Sequence, residues 1–148
     1  MKSSKIVAKI ICIILYATLA ALALSLFFIP RVSRSLVSIY HFSTYWATFC
    51  FLAVGWGCAL GMDIMFLRIM STVQADTPFT LQNVKSLRGV AICCGVCALN
   101  FCFILLFRPS VTLALCGAIL LFGCLCAIVL SSVFERAVLY KEENDLTV

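Results

Sequence analysis

Charge is what this sequence has least of. Of its 148 residues only 11% are Asp, Glu, Lys or Arg, against about 25% in an ordinary soluble domain. So little polar surface cannot solvate a folded chain in water, which excludes a soluble cytosolic enzyme. Histidine occurs once, at His41. It stands alone in a predicted outer loop, where its expected role is at the surface or interface, and no Ser/His/Asp set can be assembled around it. The six acids do not pair in any one predicted cleft, and there is no Gly-rich phosphate loop. The seven Gly and three Pro form no repeat, so a fibrous or low-complexity chain is excluded as well. No enzymatic activity and no cofactor are expected.

What the sequence has instead is apolar residues, 64% of the total, with a mean hydropathy of +1.16. They fall in four blocks, 10–29, 45–67, 89–107 and 110–134. The first, Ile10 to Ile29, lies between Lys9 and the pair Pro30, Arg31 and spans about 30 Å as a helix, one hydrocarbon thickness. Lipid leaves backbone amides no partner outside a helix or a closed barrel, and these blocks lack a barrel's alternation. The reading is an all-α integral membrane protein, a four-helix bundle forming a single domain over 1–148. A cleaved signal peptide is the rival explanation of the first block, since Lys2, Lys5 and Lys9 form a basic leader. The uninterrupted run is longer than the usual apolar core of such a leader, and Ala21-Leu22-Ala23 sits inside it rather than after it, so a retained helix is favoured.

Orientation follows from counting Lys and Arg. With the N-terminus inside, Lys2, Lys5, Lys9, Arg68, Lys85, Arg88, Arg136 and Lys141 are cytoplasmic and only Arg31, Arg34 and Arg108 are outside. Both termini, the loop 68–88 and the tail 135–148 are therefore expected in the cytoplasm, with the protein in the cell membrane. The net charge of +5 is then a topology signal with some affinity for anionic headgroups. No basic stripe supports direct nucleic-acid binding.

All ten cysteines lie in the predicted spans and none in a loop, so a disulfide framework is not expected and the thiols read as small packing groups. Cys93, Cys94 and Cys97 share helix faces at i,i+3 and i,i+4, a spacing that can direct two thiolates at a soft metal ion. A tetrahedral site would need a further pair or a histidine. Ala53, Gly57 and Gly61 form a small-residue groove on the second span, against which another helix, internal or from a second copy, is expected to pack. Asp63 is the one acid inside a span, read as near its inner end. Arg68, Lys85 or Arg88 are its expected partners, and Asn100 is the only other polar group available for a relay.

The inner loop has Pro78 to stop the second helix and Thr80 to cap a third from about Leu81, with Leu81, Val84 and Leu87 along one face. Helix propensity continues past Phe134 to Glu143, so the fourth helix should project two turns or more beyond the membrane. Glu142, Glu143 and Asp145 then crowd the negative end of its dipole. Either the tail stays solvated, or it folds against Arg68, Lys85 and Arg88 of the inner loop.

The inner-loop segment Pro78-Phe79-Thr80-Leu81-Gln82-Asn83-Val84-Lys85-Ser86-Leu87-Arg88 precedes Val133-Phe134-Glu135-Arg136-Ala137 by one helical hairpin, and the chain closes on Lys141-Glu142-Glu143-Asn144-Asp145-Leu146-Thr147-Val148. In these segments, and in its four spans along essentially the whole length, the chain resembles the bacterial DUF2975 family of small four-helix membrane proteins. It departs from the family pattern at Gln82, where an acid is common. The resemblance implies no assigned activity. It does imply a partner, because members are often encoded beside a small helix-turn-helix regulator.

Three functions follow from these residues. The first is a membrane sensor or tether whose cytoplasmic face, including Phe79, Asn83, Lys85, Arg88, Glu142, Glu143, Asn144 and Asp145, binds that regulator. The second is a small transporter, channel or immunity protein using Asp63 and Asn100, which would need a homo-oligomer. The third is thiol or metal sensing through Cys93, Cys94 and Cys97. If the tail folds on the inner loop, charge reversal of Lys85 and Arg88 increases its protease sensitivity. Unchanged cleavage kinetics would mean that the tail stands free.

Overall fold

Apolar runs of this length satisfy their backbone groups as helices, and the structure is all-α. The computed structural model describes residues 2–40, 45–75, 80–107 and 109–146, with side chains over 7–37, 45–75, 80–106, 109–141 and at 143. Its elements are α1 (Lys2–Ser25), a 3-10 turn (Leu26–Phe28), α2 (Ile29–Tyr40), α3 (Tyr45–Gln74), α4 (Leu81–Phe107) and α5 (Val111–Leu146). Four stretches are long and apolar enough to cross a membrane: Val7–Val37, Tyr45–Gln74, Leu81–Leu106 and Val111–Lys141. They contain the four expected blocks apart from the ends of two, and residue 110 caps α5 by accepting the Ala114 amide at 3.0 Å.

The helical path runs on past Pro30, beyond the end of the first apolar block, through a 3-10 turn into α2. Proline has no amide to give the Leu26 carbonyl four residues back. The Ile29 amide bonds that carbonyl instead, which tightens one turn to 3-10 geometry, and Pro30 then sits at the start of α2, where its missing donor costs nothing. Ile29 and Ser33 of α2 are buried, and α2 packs on α3.

α3 continues past the end of its apolar block at residue 67 to Gln74, short of the stop expected at Pro78. α4 begins at Leu81 under Thr80, as expected. Thr80 accepts the Asn83 amide at its carbonyl (3.0 Å) and, more weakly, at its hydroxyl (3.4 Å). The face Leu81, Val84, Leu87 is corrected in one member. Val84 and Leu87 are buried, whereas Leu81 is exposed at the first helical position, before the neighbouring helices reach it.

Among the described residues the long helices do not close into a bundle. They form an open row in the order α1, α3, α4, α5, each antiparallel to the next, and α1 packs on α3 without meeting α5 substantially. The distribution of glycine explains this, since all seven lie in α3, α4 and α5. A Cβ on Gly61 would lie 3.1 Å from Cys93 Sγ, and one on Gly89 would lie 3.1 Å from Met65 Cε, so α3 and α4 approach too closely for larger residues there. The core, Val90, Ala91, Cys94 and Ala127 with Met62, Met65 and Cys124, sits where α3, α4 and α5 meet. The bulky side chains of α1 point largely outward, as lipid-facing residues do.

Of the expected groove of Ala53, Gly57 and Gly61, α4 meets Gly61, whereas a Cβ on Gly57 would meet nothing within 4 Å. Gly61→Leu should therefore destabilise the protein by about 1–3 kcal/mol through overpacking. Gly57→Ala should be neutral or stabilising by up to about 1 kcal/mol through helix propensity. Thermal unfolding in detergent micelles would separate the two.

Candidate functional site

Two places gather polar chemistry. The first lies at the end of the row that carries both termini. Asn83, in the first turn of α4, is completely buried. Its Nδ2 donates to Thr72 Oγ1 of α3 at 2.7 Å, and that hydroxyl lies 2.8 Å from the Ile69 carbonyl and 2.9 Å from Asn83 Oδ1. Asn83 is therefore not on an exposed interaction face, as its sequence position suggested. The extra turns of α3 cover it, and it joins two helices. Ser86, Val84 and Leu87 are buried beside it, as are Ser131 and Val138 of α5.

Arg88 Nη2 donates to Glu135 Oε2 of α5 at 2.8 Å, with both side chains about half exposed (57% and 41%). Arg88 is thus engaged by an acid within α5 itself. Exposed pairs of this kind are worth at most about 1 kcal/mol. Lys85 is exposed, and α5 stays helical to Leu146. Phe79 and His41 fall outside the described residues, as do the side chains of Glu142, Asn144 and Asp145; Glu143 is exposed and engaged.

The second place is Asp63. Along the α1–α3 seam, Gln74 Nε2 donates to Cys12 Sγ at 3.0 Å, Thr18 Oγ1 meets Asp63 Oδ1 at 3.2 Å, and Trp56 Nε1 donates to the Leu22 carbonyl at 2.9 Å and Ser25 Oγ at 3.1 Å. These pairs set register. Asp63 lies level with Thr18 of α1, about 16 Å of helix from Gln74. None of the expected bases reaches it. Arg88 holds Glu135, Arg68 is exposed five residues further along α3 on another face, and Lys85 points outward. The Thr18 hydroxyl has one proton for two acceptors, because it also lies 2.9 Å from the Leu15 carbonyl. Asp63 Oδ2 is buried with no hydrogen-bond partner among the described residues. The carboxylate borders an open groove of about 570 Å³ between α1 and α3.

Asn100 is not brought to Asp63. Its Nδ2 donates to the Phe51 carbonyl of α3 at 3.0 Å, about 18 Å along that helix from Asp63, so the two do not form a relay. Cys93, Cys94 and Cys97 are free thiols like the other seven. Cys93 packs on Gly61, while the Cys94 thiol lies 3.5 Å from Met62 Sδ. Among the described residues no three His, Cys, Asp or Glu side chains converge as a metal shell. A second cavity of about 460 Å³, beside the 3-10 turn and bordered by Phe28, Trp56, Phe101 and Leu120, has no charged group in its lining.

The sequence reading missed Thr18, Trp56, Thr72 and Glu135. The signal for the first three was available, since a hydroxyl or indole N–H inside an apolar helix must find a partner. Only the register of the helices, absent from the sequence, says which.

A family model described as a protein of unknown function, DUF2975, matches residues 34–148. The match runs from within α2 to the C-terminus and leaves α1 outside, so it is shorter than the whole-length resemblance of the sequence. Neither a curated protein nor a solved structure matches the chain.

If Asn83 holds the inner turns of α3 and α4 together, Asn83→Ala lowers stability by about 1–3 kcal/mol because Thr72 loses a buried partner. Arg88→Ala lowers it by less than about 1 kcal/mol. Hydrogen exchange followed by mass spectrometry should be faster over 80–90 in the first variant only; unchanged protection there would refute the lock.

Proposed function

The chain belongs to the DUF2975 family, and from that premise we propose that it is a multi-pass membrane sensor or tether with both termini in the cytoplasm, whose cytoplasmic end binds a small helix-turn-helix regulator. Its role in this reading is binding rather than catalysis.

The observation that carries the proposal is the length and packing of α5. Its 36 residues make a helix about 54 Å long, of which about 30 Å suffices for the hydrocarbon core. Some four turns remain for the cytoplasmic side, and they are not a loose tail. Val138 is buried against the neighbouring helices, Arg88 bonds Glu135, and Asn83 bonds Thr72 beneath them. On this rigid platform Leu139 and Tyr140 are exposed (51% and 68%) beside Lys141, and Leu81 and Lys85 are exposed at the start of α4. Apolar and aromatic side chains held out from a fixed helix in water are the usual anchors of a protein interface. The excess of Lys and Arg at this end supports its cytoplasmic placement.

Co-expression with a small helix-turn-helix regulator of the kind the family resemblance implies, followed by purification through a tag on the membrane protein, tests the reading. Deletion of the residues after Tyr140 should abolish recovery of the regulator. The double variant Leu139→Ser, Tyr140→Ser should weaken binding at least tenfold while leaving membrane insertion intact. Unchanged recovery from both would refute the proposal.

A further inference from the structure

Asp63 is the group whose surroundings match its charge least. A carboxylate inside an apolar span is costly in lipid, and such groups normally pair with a base inside the protein. Here no ion pair to Asp63 occurs among the described residues, one oxygen shares a single hydroxyl proton with a carbonyl, and the other oxygen has no partner there.

The space beside it is built from small and soft residues. Ala21 of α1 faces Ala59 of α3 across the groove, which leaves about 570 Å³ with Met62 and Phe66 along its wall. That is the size of a site for a small organic molecule. Phe66 lies one turn from the acid, where a ring face can accept positive charge. Because α1 packs on α3 without meeting α5 substantially, the groove is open to the side, toward lipid.

We propose that the groove between α1 and α3 binds a lipophilic cation, a bulky apolar molecule carrying one positive charge, with that charge against Asp63 and its body against Ala21, Ala59, Met62 and Phe66. A neutral lipid tail would fill the volume and leave the charge of the carboxylate unmatched. A strongly hydrated inorganic cation would match the charge but forfeit its water against apolar walls. A hydrophobic cation with dispersed charge satisfies both demands and reaches the site by partitioning into the bilayer. The site is independent of the cytoplasmic face and stands whether or not a regulator binds there.

Titration calorimetry of the full-length protein in dodecyl maltoside micelles, with tetraphenylphosphonium as probe and neutral triphenylphosphine oxide as control, tests this. The expected result is saturable one-to-one binding of the cation alone, weakened at least tenfold in Asp63→Asn and retained in Asp63→Glu. Circular dichroism and unfolding temperature check that the variants fold. Ala21→Leu, which fills the groove without touching the charge, should also weaken binding at least tenfold, so the proposal remains testable if Asp63→Asn fails to fold. Equal binding by the wild type and Asp63→Asn, no saturable binding by the wild type, or unchanged affinity in Ala21→Leu would overturn it. So would a wild-type dimer that Asp63→Asn converts to monomer in the absence of cation, since a second copy would then be the occupant.

Discussion

A bilayer offers a polar side chain no hydrogen-bond partner, and in this protein the helix that answers that constraint is α3. Polar bonds between helices gather on α3. Thr18, Leu22, Ser25 and Cys12 meet it from α1, and Asn83, Cys94 and Asn100 meet it from α4. Such bonds in membranes average only about 0.6 kcal/mol each, so they direct packing more than they drive it. They fix register and neighbour. α4 and α5 associate differently, through close contact of small residues such as Gly95 and Ala127. The open row follows, with a tightly packed pair, a polar hub beside it, and α1 attached to the hub alone.

How much of this was legible in the sequence depends on whether a feature is local. The four apolar blocks, the Thr80 cap and the continuation of α5 past Phe134 were legible because hydropathy and capping act over a few residues. The helical path past Pro30 was not, because the Ile29 amide compensates within one turn for the donor that proline lacks. The partner of Asp63 was misjudged because Thr18 reaches it from another helix. Asn83 looked exposed because its partner, Thr72, also comes from another helix. Each miss concerns a residue whose environment is made by another helix. A single sequence carries hydrophobic period and helix ends, but it does not carry interhelical register.

The same register connects the two polar places. Thr72 and Asp63 stand on one unbroken helix, about 14 Å apart by helical rise. Of the long helices, α1 is the least tightly packed. It has no glycine and no close approach of the kind seen at Gly61 and Gly89, and it is held by a few hydrogen bonds along one seam.

The extent of the family match gives this division a further meaning. The matched residues, 34–148, contain α3, α4 and α5 complete, hence the Asn83–Thr72 lock, the Arg88–Glu135 pair and the projecting platform. They do not contain α1, which supplies Thr18 and Ala21 to the groove. The platform is therefore built wholly from the portion that defines the family, whereas the groove needs a wall from outside it. A function common to the family belongs with the platform, and whatever ligand the groove takes belongs with the pairing of that portion and this particular first helix. Asp63, which lies in the matched portion but faces the unmatched helix, is where the two would meet.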